Sequence, residues 1–399
     1  MPRQKTMRFA GLLIVIALLL TACGNPTEAP ADEPAEPVVE QPTEPEVEEP
    51  VEEVEEPAEE PVVEPAAEPL KIGFIYIGQP GDLGWTYEHE RGRLMLEEEF
   101  GDLVETFTVP DVPEGPDAEK AIRDMVQQGA EVVFTTSFGY MDPTVTVAAE
   151  FPDVVFEHCS GYKTADNVAT YFGRMYQPRY LSGLVAGSMT ETNEIGYVAA
   201  FPIPEVVRGI NAFTLGVREA NPDAEVRVVW TNTWYDPVKE REAAEALLGE
   251  GVDIITQHQD TTEPQKAAQE AGMLSVGYDA DMAKFVGETV LTSPVWNWGA
   301  YYIDTVQTIL DGTWETHQFW GGMDADVVTL AELSPLVPED VATLVADAQA
   351  TILSGDWDVF CGPINGQDGA ERVAEGECME DGAMLGMDWF VEGVIGTLE

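Results

Sequence analysis

From Lys71 onward, short apolar runs alternate with stretches of helical spacing, and this alternation restricts the architectures open to the chain more than any other feature. "KIGFIYIG" reads as a strand, Tyr87 to Phe100 as a helix, "LVETFTV" as a strand and Ala118 to Gln128 as a helix. "AEVVFTTS", the helical Pro143 to Phe151 and "DVVFEHCS" complete a first series. A second runs from "EIGYVAAF" through a helix at Val206 to Ala220, "AEVRVVWTN", a helix at Lys239 to Gly249, "VDIITQHQ", a helix at Pro264 to Ala271 and "LSVGYD". Apolar strands that each lead into a helix are the pattern of a parallel sheet covered on both faces. Two such series predict an α/β fold with two lobes.

The residues before Lys71 cannot join either lobe. Arg3, Lys5 and Arg8 precede twelve apolar or small residues, Phe9 to Leu20, which lead to Leu20-Thr21-Ala22-Cys23. As a helix the apolar run would reach about 18 Å, short of the roughly 30 Å of a bilayer's hydrocarbon, so it reads as a transport signal rather than a span. Its ending resembles the bacterial lipobox, which implies cleavage after residue 22 and acylation of Cys23. Residues 24–69 hold seventeen Asp or Glu, eleven Pro and no Lys or Arg. Such a segment self-repels and buries nothing, so 23–69 is read as a lipidated, extended tether.

Charge narrows the partners. Residues 70–399 carry 16 basic and 57 acidic side chains, a net −41 within a chain total of −55. That field repels polynucleotides and anionic headgroups, so nucleic acid is excluded as a partner recognised by charge. Of the four cysteines, Cys361 and Cys378 enclose sixteen residues of a Gly-rich stretch and are expected to form a disulfide outside the cytoplasm. Cys159 follows an apolar run and is expected to be a buried thiol. The four His show no paired ligand spacing and no Cys-x-x-Cys is present, so neither metal nor cofactor is expected. "NGQDGAERVAEGE" does not match the ligand spacing of a calcium loop.

Ligands of open parallel sheets bind beyond the carboxyl ends of the strands. Those ends fall at Gly78 to Tyr87, Ser137 to Met141, His158 to Tyr162, Phe201 to Glu205, Thr231 to Asp236, His258 to Thr262 and Tyr278 to Asp281. Several are rich in aromatic and amide side chains and poor in cations. "GQPGDLG" lacks the Lys of a phosphate-binding loop.

The order along the chain of "KIGFIYIGQPGDLGWTYEHERG", "YFGRMYQPRYLSGLVAG", "WYDPVKE", "VGYDADM" with "LTSPVW", and "MDWFVEGVIG" resembles the basic membrane protein family of lipoprotein solute-binding proteins, which includes the purine nucleoside receptors. The resemblance implies a type I periplasmic-binding-protein fold, with a hinge between lobes and a ligand captured between them for an ABC permease and its ATPase. Lobe 1 is then 70–180 plus about 290–318, and lobe 2 is 181–289 plus about 319–399. The family's first-loop acid and aromatic fall on Asp82 and Trp85, its facing aromatic on Trp234 and its later acid on Asp279. Where nucleoside receptors carry a ribose-binding Lys, this chain has Trp296, which implies a smaller, flatter ligand such as adenine. Trp296 reads alternatively as a core residue of a helix with Trp298, Tyr301 and Tyr302. Tyr87 reads as a cap on the cleft or as packing beneath it, and Phe138 and Gly139 as a backbone approach to the base. Glu157, His158 and Ser160 stand where the family has a base-reading acid.

The leading expectation is therefore a monomeric, lipid-anchored receptor on the extracytoplasmic face of the cell membrane, binding a purine nucleobase and performing no catalysis. The alternatives are a purine nucleoside receptor, a nucleosidase-like hydrolase and an acidic surface lipoprotein without a transport role.

Overall fold

The computed structural model describes residues 68–398, so the signal, Cys23 and nearly all of the tether lie outside the described residues. The chain runs β1 (Leu70–Ile75), α1 (Trp85–Phe100), β2 (Val104–Val109), α2 (Pro116–Gln127), β3 (Val132–Thr135), α3 (Met141–Ala148), β4 (Val155–Cys159), β5 (Val168–Gly173) and α4 (Tyr176–Met189). It continues through β6 (Glu194–Ala199), α5 (Pro204–Ala220), β7 (Glu225–Trp230), α6 (Pro237–Gly249), β8 (Ile254–His258), α7 (Glu263–Glu270), β9 (Leu274–Ser275) and α8 (Ala283–Val286). The last part comprises β10 (Pro294–Trp296), α9 (Trp298–Leu310), β11 (Gln318–Gly321), β12 (Val328–Leu330), α10 (Glu339–Ser354), β13 (Ile364–Asn365), β14 (Glu371–Val373), α11 (Asp381–Leu385) and β15 (Val394–Ile395).

Two parallel sheets result, ordered β11-β5-β4-β3-β1-β2 and β15-β7-β6-β8-β9. Strand alternation explains why both faces of each are apolar. In the first sheet Ile72, Phe74, Val132 and Phe134 join one core, while the intervening Ile75 and Val133 meet Ile122 and Met125 of α2 and Val147 of α3. The Phe74 and Phe134 rings stack at 4.8 Å, and Tyr302 of α9 packs on both. In the second sheet Ile195, Tyr197 and Ile254 face that same large core, whereas Val198 and Ile255 meet Ala244 and Leu247 of α6 and Ala267 of α7. Pro in the first turn starts α5, α6 and α7, where the missing N–H costs nothing, and the Asp236 carboxylate accepts the Lys239 N–H at 3.2 Å to cap α6.

Behind the second sheet, α4 and α5 touch backbone to backbone. A Cβ on Gly183, Gly187 or Gly216 would overlap the carbonyl oxygens of Phe213, Val217 and Tyr180 respectively, so only glycine permits this approach.

The structure departs from the sequence reading in definite places. Helix α1 starts two residues earlier than the spacing predicts, because Asp82 holds its first turn. Strand β5 and helix α4 lie in a stretch that alternation alone does not resolve, since α4 is buried on nearly every side. Strand β11 pairs in parallel with β5, so 318–321 belongs to the first sheet. Trp296 ends strand β10 rather than riding on the following helix. A disulfide joins Cys361 to Cys378 around the β13–β14 hairpin, and Cys159 is a buried free thiol.

Candidate functional site

Register brings the carboxyl ends of the strands level. Ile75 of β1 lies beside Thr135 of β3, and Thr135 beside His158 of β4. In the other sheet Ala199 of β6 lies between Trp230 and His258. Past these ends, the first lobe contributes Ile77, Trp85, Ser137, Phe138 and Ser160 to one narrow cavity of about 30 Å³. Its other wall is Glu205, Trp234, His258, Asp260 and Tyr278 from the second lobe. Apolar walls with a few convergent polar groups are the usual form of a small-ligand site.

Each indole has a local reason for its position. The loop after β1 turns into α1 through Asp82, whose Oδ1 accepts the N–H groups of Gly84 (3.0 Å) and Tyr87 (2.9 Å) while Oδ2 accepts that of Thr86 (2.9 Å). This places Trp85 at the helix start, where its Nε1 donates to the Thr136 carbonyl at 2.7 Å. Trp296 and Trp298, stacked on each other at 4.3 Å, both meet the Trp85 ring at near right angles. Trp234 follows β7, packs edge-on against Phe201 at 5.1 Å, and accepts the Asp260 N–H through its carbonyl at 3.2 Å. Ser160 reaches the wall from a left-handed backbone conformation, φ 61°.

The second-lobe wall is acidic and desolvated. Burial pushes the Glu205 carboxyl up to about 7, with Arg208 and Arg179 partly opposing the rise. Burial also drives Asp260 well above the usual carboxylate range, and Asp279, Asp82, Glu240 and Glu205 add to the effect. His258 goes the other way: burial, then Arg179 and Arg208, hold it well below an ordinary imidazole, so the ring is neutral. Its Nε2 lies 3.2 Å from the Tyr278 hydroxyl and 3.6 Å from Glu205 Oε1. The guanidinium of Arg179 sits 3.6 Å over the Tyr278 ring and donates to the Gln257 carbonyl at 2.6 Å.

Of the residues singled out in the sequence, Trp85, Phe138, Ser160 and Trp234 share this cavity. Asp82 lines an adjoining recess with Asp111, Trp234 and Asp260. The others lie elsewhere. Tyr87 packs on Phe285. The Gly139 N–H donates to Glu114 at 2.8 Å. Glu157 is fully enclosed, with Tyr301 Oη (2.7 Å) and Trp314 Nε1 (2.8 Å) donating to its two oxygens. His158 is paired with Thr135 at 2.9 Å and pushed down to about 3 by burial. Asp279 and Trp296 are fully buried behind the wall, where the indole Nε1 donates to Asp279 Oδ1 at 3.0 Å and Oδ2 has no partner.

Glu205, His258, Asp260 and Tyr278 were not singled out, although all four fall within the strand ends the positional rule marks. The signal that would have found the first three is a charged or imidazole side chain at or just past the end of an otherwise apolar strand. Arg179 and Arg208 escaped for another reason: they sit on helices behind the sheet, not at strand ends.

A family model described as ABC transporter substrate-binding protein, PnrA-like, matches residues 70–355. The chain belongs to this family. PnrA-like relatives are similar over nearly the whole body: a purine-binding protein of Brucella abortus is 49% identical over 82% of this chain and 93% of its own length. A Haloferax volcanii protein bearing the name of an ABC transporter glucose-binding protein is 43% identical, over 82% of this chain and 80% of its own. Among solved structures, a solute-binding protein of an ABC transporter system from Aeropyrum pernix shares the fold with a TM-score of 0.65 at 19% identity, over 75% of this chain and 93% of that one. The fold is thus that of type I periplasmic binding proteins, and the protein is a PnrA-like substrate-binding component of an ABC transporter. No helix among the described residues is long and apolar enough to cross a membrane.

Proposed function

We propose that this receptor takes a purine nucleobase, adenine first, between Trp85 and Trp234, and is held at the extracytoplasmic face of the membrane by lipid on Cys23. The observation that carries the base over the nucleoside is the Trp296 indole bound to Asp279. In nucleoside receptors the acid and a Lys hold ribose hydroxyls; here one carboxyl oxygen is taken by an indole that also fills the neighbouring space. Aromatic stacking contributes on the order of 1–3 kcal/mol per base, and two indoles from opposite lobes suit a flat ring. The Brucella relative's purine binding supports this reading. The Haloferax relative makes glucose the competitor to test beside it.

Thermal shift of residues 70–399 with adenine, adenosine, AMP and glucose tests the ligand. Adenine is expected to give the largest shift, adenosine a smaller one and AMP the least. A shift with adenosine equal to that with adenine sinks the nucleobase reading, and a glucose response without any purine response sinks the purine reading altogether. Cys23→Ser in the full chain is expected to move the protein from the membrane fraction to the soluble one with adenine binding unchanged. Retention in the membrane pellet would refute the lipid anchor.

A further inference from the structure

Two carboxyl groups in the cavity wall have no hydrogen-bond partner among the described residues. Asp260 is 6% exposed, and of its polar groups only the backbone N–H, donating to Trp234, is engaged. Glu205 stands at the first turn of α5 with its side chain 16% exposed, and it faces His258 Nε2 at 3.6 Å, beyond hydrogen-bond range. His258 cannot serve as a cationic counterpart, because its ring is neutral and already shares the Tyr278 hydroxyl. A nearly enclosed carboxyl without a donor costs more than the average hydrogen bond returns. Native proteins leave few such groups without a purpose. Both line the same cavity that Trp85 and Trp234 flank, so a ligand seated there meets them directly.

We propose that Glu205 and Asp260 act as a carboxyl pair that reads two hydrogen donors on the ligand: on the purine reading, the exocyclic amine and the imidazole-ring N–H of a free aminopurine, one carboxyl to each. This rests on the purine function proposed above and sharpens it. A free base carries the ring N–H. Its nucleoside has carbon at that nitrogen and cannot donate, so one carboxyl would stay buried and unpaired. Discrimination against the nucleoside then has a second source, independent of the space occupied by Trp296.

The experiment is a set of binding cycles by calorimetry: adenine, 9-methyladenine (no ring N–H) and unsubstituted purine (no amine) against the wild-type body, Glu205→Met and Asp260→Leu. On wild type, each modified base is expected to bind at least about tenfold more weakly than adenine. Each substitution is expected to weaken adenine at least about tenfold, yet less than threefold for the one modified base that lacks its paired donor. Variants that bind adenine within threefold of wild type overturn the proposal. So do variants that weaken all three bases by one common factor. Circular dichroism and melting temperature establish that each variant is folded. Should one fail to fold, the wild-type series alone decides, since equal binding of the three bases refutes the pair. Adenine binding with indifferent carboxyls refutes only the pairing, whereas a glucose response with no adenine response refutes the purine reading and the pairing with it.

Discussion

Trp296 is fully buried, stacked on Trp298 at 4.3 Å, tilted against Phe172 at 5.0 Å and hydrogen-bonded to Asp279 at 3.0 Å. An indole buries roughly 150–250 Å², which at about 25 cal/mol per Å² is about 4–6 kcal/mol. Trp→Ala core substitutions fall near this, at about 3–5 kcal/mol. Losing the Nε1 donor is a separate cost. Asp279 Oδ2 is already without a partner, and removal of the indole N–H would leave both oxygens enclosed and unpaired, at about 1–3 kcal/mol. Trp296→Phe isolates that second term, because a ring remains to stack while the donor is gone. It should lower unfolding free energy in urea by about 1–3 kcal/mol, and Trp296→Ala by several kcal/mol more. If the indole also occupies the ribose volume, folded Trp296→Ala should raise adenosine affinity relative to adenine about tenfold or more, read by calorimetry at equal temperature and salt. Adenine binding itself should weaken, since Trp85 loses one of the three rings it meets edge-on. A Phe variant within 0.5 kcal/mol of wild type would refute the hydrogen-bond argument. An unchanged adenosine-to-adenine ratio in the folded Ala variant would refute the steric one.

Trp85→Ala should lower adenine affinity by about 1–3 kcal/mol by calorimetry. Because Trp85 is tied to Thr136 and packed on neighbouring rings, it should also cost measurable stability in urea, unlike a freely solvated cleft side chain. Burial raises Glu240 to about 7, above its unfolded value near 4.5, so its contribution is complete below about 4.5 and is lost as pH rises through about 7. The stability of wild type relative to Glu240→Gln should therefore fall across that window and be level above it, as followed by urea unfolding at successive pH values. Cys361→Ser should destabilise the carboxyl-terminal segment by very roughly 3 kcal/mol. Thiol labelling of unreduced, denatured residues 70–399 should find Cys159 alone, with two further thiols after reduction.

What could be read in the chain and what could not divide along physical lines. Strands such as β1 and β6 announce themselves because a two-sided parallel strand must be apolar throughout, and helices α5 to α7 because Pro and Asp mark their starts. Helix α4 does not, since packing on nearly every side erases its polar face. Within the cavity, Trp85 and Trp234 were legible as large aromatics in polar loops. Glu157 and His158 were misleading for a related reason: a polar residue at a strand end looks alike whether it faces a cavity or an internal partner. Here Tyr301, Trp314 and Thr135 take them out of reach. Trp296 carried the opposite difficulty, for it bears on the cavity from behind the wall, through Asp279 and Trp85, and distance along the chain conceals that.

The glycine contact between α4 and α5 has a mechanical meaning. With backbone against backbone there are no intervening side chains to change rotamer, so the two helices cannot slide past each other as packed helices do in a shear motion. Arg179 rides on α4, and Arg208 and Glu205 on α5. The two cations that partly oppose the burial-driven rise at Glu205 therefore travel as one body with it. Any widening of the cleft parts Trp85 from Trp234 and lets water reach Glu205, while Arg179 and Arg208 stay beside it. The second lobe would meet an incoming ligand with its carboxyl and guanidinium groups in fixed relation, and the first would supply the closing indole and the burial.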